Sequence, residues 1–180
     1  MDKVEVRSSF RGRVVDKNIS KTIIEKLLSL KEYKEATLIL AYYPLSDEVD
    51  ITPLFNDQTK EFAYPVIDKD KMYFAFVERG VKRGAFNINQ PLGAEIKSFP
   101  INTLMLMPAV AYDKEYRRIG RGKGFYDRFT KAHPSLTKVA LISKDRLIDE
   151  CVTNSSDVKA DILITEISML RIKALGDHHI

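Results

Sequence analysis

The sequence predicts an α/β fold: a single-domain three-layer sandwich, built on a mainly parallel, doubly wound sheet with helices on both faces. Three observations predict it. Apolar, β-rich runs recur at residues 36–43 (ATLILAYY), 103–110 (TLMLMPAV), 138–143 (KVALIS) and 161–165 (DILIT). Helical and turn segments alternate with these runs, which argues parallel pairing through crossovers. The run at 36–43 lacks clean polar alternation, as a central strand covered on both faces does.

The bounds are simple. A chain of 180 residues suits one domain, 1–180, with a full hydrophobic core. The net charge of +4 suits anionic small molecules as well as nucleic acid, so it selects neither. No run approaches the ~18 apolar residues of a membrane span. The first residues, MDKVEVRSSFRGR, lack the apolar core of a secretory signal. Cys151 is the single cysteine, which excludes an internal disulfide and a cysteine-built zinc site. It is expected to be a small core or near-core residue rather than a reactive thiol. A cytoplasmic enzyme, without membrane partners, is the simplest class left.

Taken in order, Lys3, Arg7 and Arg11 share one face if the first segment is helical. They form either a solvated basic face or a cationic clamp; Val4, Val6, Ser8 and Ser9 weaken the helix propensity. Residues 18–22 (NISKT) offer helix-start residues, and Thr22 with Glu25 reads as a capping box. Ile23, Ile24, Leu27, Leu28 and Leu30 follow as an apolar stripe for core packing. Pro44 ends the strand at 36–43. Ser46, Asp47, Glu48, Val49 and Asp50 then lie at its carboxyl end, the edge where open α/β sheets bind ligands. Three acids in four residues otherwise read as a solvated turn. Thr52 is expected to cap a short helix with Pro53 at its first position.

Residues 61–67 (EFAYPVI) read as a strand. Residues 71–77 (KMYFAFV) alternate more and suit a sheet edge, with a hairpin-like turn at 68–70. Residues 78–100, with Phe86, Asn87, Gln90 and Pro91 inside them, are the least regular part and read as a loop without assigned chemistry. Residues 154–157 (NSSD) read as a polar turn. His133 is expected at the surface, and His178 and His179 in a frayed tail.

The chain is organised around residues 117–129 (RRIGRGKGFYDRF). Gly120, Gly122 and Gly124 alternate where a strand ends and a helix begins. Glycine permits positive φ and close backbone approach, so successive N–H groups can converge on an anion beside a helix N-terminus. Arg118, Arg121 and Lys123 add full positive charges. The physical reading is a phosphate site; the alternative is a basic surface loop. Neither the common phosphate loop nor the dinucleotide fingerprint has this spacing. Phe125, Tyr126 and Asp127 follow at once and suggest a planar ligand and a metal ion.

Residues 118–127 (RIGRGKGFYD) also resemble the signature of the 5-formyltetrahydrofolate cyclo-ligase (5,10-methenyltetrahydrofolate synthetase) family. The resemblance implies ATP- and Mg²⁺-dependent conversion of 5-formyltetrahydrofolate to 5,10-methenyltetrahydrofolate, with ADP and phosphate released. It implies ATP binding by Lys3, Arg7, Arg118, Gly120, Arg121, Gly122, Lys123, Gly124, Phe125 and Tyr126. Arg121, Lys123 and Tyr126 take catalytic roles. Tyr43, Glu48, Met72, Arg121, Phe125 and Tyr126 contact the folate, with Glu48 carried over from a matching Asp47-Glu48-Val49-Asp50 stretch. Asp127 and Asp157 are the implied magnesium ligands. Phe125 replaces the family's usual tyrosine, Ile51 its threonine after the acidic stretch, and Ser156 the histidine before Asp157. The partners implied are ATP and a reduced folate, in a monomer. Two other classes stay open: a relative acting with ATP on another formyl or carboxyl compound, and a non-catalytic nucleic-acid binder using the basic N-terminus and loop.

Overall fold

Alternate residues of the central strands enter two different cores, and this sets the layers. The computed structural model describes residues 1–77, 80–84, 88–173 and 176–179. Strands β1 (Leu38–Leu40), β6 (Leu104–Met107), β9 (Thr137–Leu141) and β10 (Ile162–Ile164) are parallel, as is β2 (Glu61–Asp68) on the other side of β1. Ile39, Leu104, Leu106, Val139, Leu141, Ile162 and Ile164 face one core, with Ile23, Ile24 and Leu27 of helix α2 (Lys17–Ser29) and Tyr33 of α3 (Lys31–Glu35). Leu38, Leu40, Met105, Met107, Ala140 and Leu163 face the other, with Tyr126 and Phe129 of α4 (Phe125–Ala132). Period-2 exposure of apolar side chains on both faces explains why the runs show no polar alternation.

The parallel strands lie in the order β10-β9-β6-β1-β2, and antiparallel strands extend both edges. At one edge β3 (Lys71–Ala75) pairs with β2 through the turn at 68–70, where Lys69 takes φ 59°. At the other, β11 (Met169–Lys173) pairs with β10, and β12 (Gly176–His179) pairs with β11. His178 and His179 therefore belong to a paired strand, not to a frayed tail; the strand pairing outweighs their terminal position. The α/β class, the doubly wound sheet and helices on both faces match the expectation from sequence.

Several local expectations are corrected. Helix α2 begins six residues before the proposed capping box: Asp16, not Thr22, is its cap, accepting from the Asn18 and Ile19 N–H groups. The helix at 52 is 3₁₀, Thr52–Asn56, with Ile51 at the cap position. Asp50 Oδ1 accepts from both the N–H and the hydroxyl of Thr52, so the aspartate anchors the turn. Cys151 is exposed rather than near-core. His133 ends α4 half-buried, tilted against Phe129 with ring centroids 4.6 Å apart. Within the irregular segment, β4 (Val81–Arg83) and β5 (Asn89–Pro91) form a hairpin. Glu78, Phe86 and Asn87 lie outside the described residues. Among the described residues, no helix is long and apolar enough to cross a membrane.

Helix α1 (Lys3–Phe10) forms despite its β-branched residues and serines. Asp2 caps it by accepting from the Glu5 N–H. Val6 and Phe10 are buried against Val110, Ala111 and Ile119. The last two belong to a small hairpin of β7 (Ala111–Tyr112) and β8 (Arg118–Ile119). Tertiary burial outweighs weak propensity here, and it docks α1 beside the glycine-rich loop that follows β8.

Candidate active site

The order β10-β9-β6-β1-β2 puts a topological switch between β1 and β6, because β1 leads on to β2 on one side and β6 leads on to β9 on the other. The crevice beyond the carboxyl ends of those two strands is where such sheets bind ligands. A cleft of about 330 Å³ lies there. Tyr42, Tyr43, Leu45 and Glu48 enter it from the segment after β1; Pro108, Arg118, Arg121, Lys123, Phe125 and Tyr126 enter from the segment after β6. Met72 closes one side from β3. Met72 is also a member of the second core, so its packing and lining roles coexist.

The aromatic wall is ordered by stacking. Tyr43 lies 4.4 Å from Tyr64 at an interplanar angle of 11°, and Phe55 meets Tyr43 edge-on. Tyr126 is buried beneath the Arg118 guanidinium, whose carbon sits 4.4 Å from the ring centroid. Arg118 also donates through Nε to the Pro108 carbonyl at 2.6 Å. A Cβ on Gly120 would lie 2.2 Å from Arg118 Nη1. Gly120 therefore leaves room for the Arg118 guanidinium. Gly124, at φ 71°, occupies the cap position of α4, and no side chain caps that helix. The exposed donors and positive dipole end at the start of α4 stay available beside Lys123.

Glu48 is the buried acid of the cleft. Its Oε1 accepts from the Leu45 N–H at 2.9 Å and its Oε2 lies 3.3 Å from Arg121 Nη2. Burial pushes its carboxyl above the ordinary range, against the pull of the Leu45 N–H and the Arg121 guanidinium; Asp47 adds a smaller push upward. Arg121 is held more closely by Asp47, at 2.7 Å. The two carboxylates and hydrogen bonding to them raise the arginine's already high pKa, outweighing its partial burial. Lys123 is exposed, and its ammonium forms no ion pair among the described residues.

On the other side of the loop, Arg7 Nε donates to the Gly120 carbonyl at 2.7 Å, and a Cβ on Gly122 (φ 99°) would lie 3.7 Å from the same guanidinium. Arg7 thus braces the loop from α1. Lys3 does not reach that loop; its ammonium pairs with Asp157 Oδ2 at 2.5 Å. Asp127 and Asp157 line a second depression, of about 450 Å³, rather than the aromatic cleft. Asp127 Oδ1 accepts from the Val158 N–H at 2.8 Å, which brings the two aspartates' segments into contact. Asp157 Oδ2 also accepts from the Asn154 N–H. Among the described residues there is no group of three or more potential metal-holding side chains. Two carboxylates, each with one oxygen engaged, fit magnesium that arrives with phosphate oxygens as most of its ligands, and do not fit an all-protein cage.

Three residues of the site were missed in the sequence. Asp47 stands in the acidic turn, where nothing in the sequence marks it out from its neighbours. Arg128 clasps the glycine loop, donating to the Lys123 carbonyl and the Asp70 carbonyl, each at 2.9 Å. Arg146, 3% exposed, donates to the Asp47 carbonyl at 2.8 Å and to the Arg13 carbonyl at 2.5 Å. The only signal for the two arginines was charge, which does not tell a buried donor to carbonyls from a solvated side chain.

The model of the 5-formyltetrahydrofolate cyclo-ligase family matches residues 6–166. A 5-formyltetrahydrofolate cyclo-ligase from Mus musculus is 21% identical over 185 residues, covering 91% of each chain. One from Haemophilus influenzae is 28% identical over 156 residues, covering 79% of this chain and 83% of that one. Among solved structures, the NMR structure of Aquifex aeolicus 5,10-methenyltetrahydrofolate synthetase aligns with a TM-score of 0.80 at 29% identity, covering 99% of this chain and 98% of that one. A 5,10-methenyltetrahydrofolate synthetase from Mycoplasma pneumoniae shows the same fold, with a TM-score of 0.70 at 21% identity, over 92% of this chain and 99% of that one.

Proposed function

The chain belongs to the 5-formyltetrahydrofolate cyclo-ligase family, and from that premise we propose that it closes 5-formyltetrahydrofolate to 5,10-methenyltetrahydrofolate at the expense of ATP. The observation that carries this reading is the Glu48–Arg121 contact. A carboxylate at the base of an aromatic cleft meets a cation of the glycine-rich loop at 3.3 Å. A paired-acceptor carboxylate suits the donor edge of a pterin, and the loop beside it suits phosphates.

The chemistry requires activation of the formyl oxygen, because an amide oxygen does not leave when N10 attacks. The oxygen attacks the γ-phosphorus of ATP, and ADP departs with the electron pair of the broken P–O bond. N10 then adds to the activated carbon, loses its proton, and the C–O bond breaks with release of phosphate. Phosphoryl transfer needs positioning and charge stabilisation more than covalent chemistry from the protein. Tyr43, Phe125 and Tyr126 line the cleft that receives the planar ring, and Met72 fills its side. Glu48 reads the pterin edge. Phe125 leaves no hydroxyl for a hydrogen bond at its position. Gly120, Gly122 and Gly124 let loop N–H groups approach the triphosphate, while Arg7, Arg118, Arg121, Lys123 and Lys3 neutralise it. Asp127 and Asp157 would hold magnesium, which supplies further charge neutralisation when bound with ATP. The same reading takes the chain as a monomer acting in the cytoplasm on two small molecules, ATP and a reduced folate.

The test is direct. Purified protein with 5-formyltetrahydrofolate, ATP and Mg²⁺ should produce the near-ultraviolet absorbance of the methenyl product. No ATP-dependent rise sinks the assignment.

A further inference from the structure

Among the described residues, Arg121 alone lines both the aromatic cleft and a smaller cationic depression of about 160 Å³, whose walls include Arg7 and Arg11. It stands where a phosphate in the depression and a planar ligand in the cleft would meet. Its guanidinium is set by Asp47, with Nη2 2.7 Å from Oδ1 and Nη1 3.3 Å from Oδ2. This is the two-pronged geometry that fixes a guanidinium plane. Asp47 is fixed in turn. It is 9% exposed, and its carbonyl accepts from the buried Arg146 at 2.8 Å. Arg146 lies 5.3 Å over the Phe10 ring, at the end of the helix that carries Arg7.

A carboxylate in the wall of an anion pocket repels the anion, so Asp47 weakens phosphate binding by Coulomb's law. We propose that Asp47 is a positioning residue for the reaction. It touches neither substrate, and it acts by holding Arg121 at the junction, so that one cation serves both the transferring phosphoryl group and the formyl oxygen that receives it. The inference rests on the cyclo-ligase reading for its reaction and its kinetic test, but not for its binding test.

Four full-length proteins decide it: the unmodified chain, Asp47→Asn, Arg121→Ala and the double variant. Arg146 grips the main chain at position 47, so that support survives the asparagine. Where asparagine prevents folding, Asp47→Ser takes its place. Asp47→Asn is expected to lower kcat at least ~10-fold without raising KM for ATP, a split that general misfolding does not give. The double variant should have the kcat of Arg121→Ala, because a residue acting only through another adds nothing once that one is gone. A kcat within ~2-fold of the unmodified protein, or losses that multiply, overturns the proposal. Titration of the same four proteins with inorganic triphosphate gives a second cycle that needs no turnover. Coupling of at least ~5-fold in Kd supports the proposal, and independent effects overturn it. An inactive unmodified chain with coupled triphosphate binding would sink the cyclo-ligase reading and leave the role of Asp47 standing.

Discussion

The Lys3 ammonium lies 2.5 Å from Asp157 Oδ2, joining the first turn of α1 to the loop before β10. The family resemblance gives these two residues to different partners, a triphosphate and a magnesium ion. In the structure they neutralise each other, so each is kept near the second depression by its opposite charge. Lys3→Met and Asp157→Asn should each raise the KM for ATP roughly tenfold, about 1.4 kcal/mol of lost binding. The double variant should lose less than the two single losses combined, because the partners share one interaction. Steady-state kinetics on the three variants checks this, and fully independent losses would show that the pair is incidental. Both side chains are partly exposed, so Tm should move by only a few degrees.

Gly120 and Arg118 predict a second outcome. Position 120 has no positive φ, so alanine is compatible with its backbone. Its Cβ would nonetheless meet Arg118 Nη1 at 2.2 Å, and Arg118 is pinned by the Pro108 carbonyl and the Tyr126 ring. Gly120→Ala should therefore displace the guanidinium from Tyr126 and reduce kcat/KM at least ~10-fold, as loss of a positioned charge does. In an Arg118→Ala background the same substitution should cost almost nothing, because the colliding atoms are gone. Kinetics of the two single variants and the double variant decide it.

The doubly wound sheet is legible in the sequence because its strands are buried on both faces and so appear as apolar runs. The glycine loop is legible because alternate glycines among cations have few structural uses. Legibility fails where a role depends on what the fold brings near. Asp16 rather than Thr22 caps α2, since the choice turns on where the chain enters the helix. The two-residue strands β7 and β8 are too short to carry periodicity, yet they aim the glycine loop. Arg128 and Arg146 act on carbonyl oxygens far away in sequence, and no spacing rule reports that. Asp127 and Asp157 are visible as carboxylates, while their separation from the aromatic cleft is a tertiary fact.

Glu48 predicts opposite effects on activity and stability. Its folded pKa is raised, chiefly by burial, so the folded state binds a proton more readily than the unfolded chain does. Its contribution to stability is complete below the ordinary value of about 4.3 and declines as pH rises through the folded value. Glu48→Gln keeps an acceptor for the Leu45 N–H without the cost of a buried charge. Melting curves should show the variant at least as stable as the unmodified protein at pH 7 to 8, with that advantage shrinking toward about pH 4. The KM for the folate should rise by roughly 10- to 100-fold, since charged hydrogen bonds to the pterin edge are lost. A glutamine variant that is less stable at pH 8 than at pH 4, relative to the unmodified protein, would refute the burial argument.

Asp113 carries the last prediction. It is fully buried and accepts at Oδ1 from the Glu115 and Arg117 N–H groups, and at Oδ2 from the Val152 and Thr153 N–H groups and the Thr153 hydroxyl. It thereby ties the β7–β8 hairpin, which leads into the glycine loop, to the segment that leads to Asp157. Burial opposes its ionisation, but the Thr153 hydroxyl and the converging N–H groups outweigh burial and hold its carboxyl below the ordinary range. A depressed pKa means that the unfolded chain binds the proton more readily. The stabilisation is therefore complete above the ordinary value of about 3.9 and is lost as pH falls through the lower folded value. Asp113→Asn turns an amide donor toward groups that are themselves donors, which costs about 2 to 3 kcal/mol, or roughly 5 to 10 °C in Tm. Thermal melts should show that deficit constant between pH 5 and 8 and narrowing below about pH 3.9, because only the unmodified protein has the ionised carboxylate to lose. A deficit that instead widens in acid would mean that Asp113 is protonated in the folded protein and that its hydrogen bonds are not those of a carboxylate.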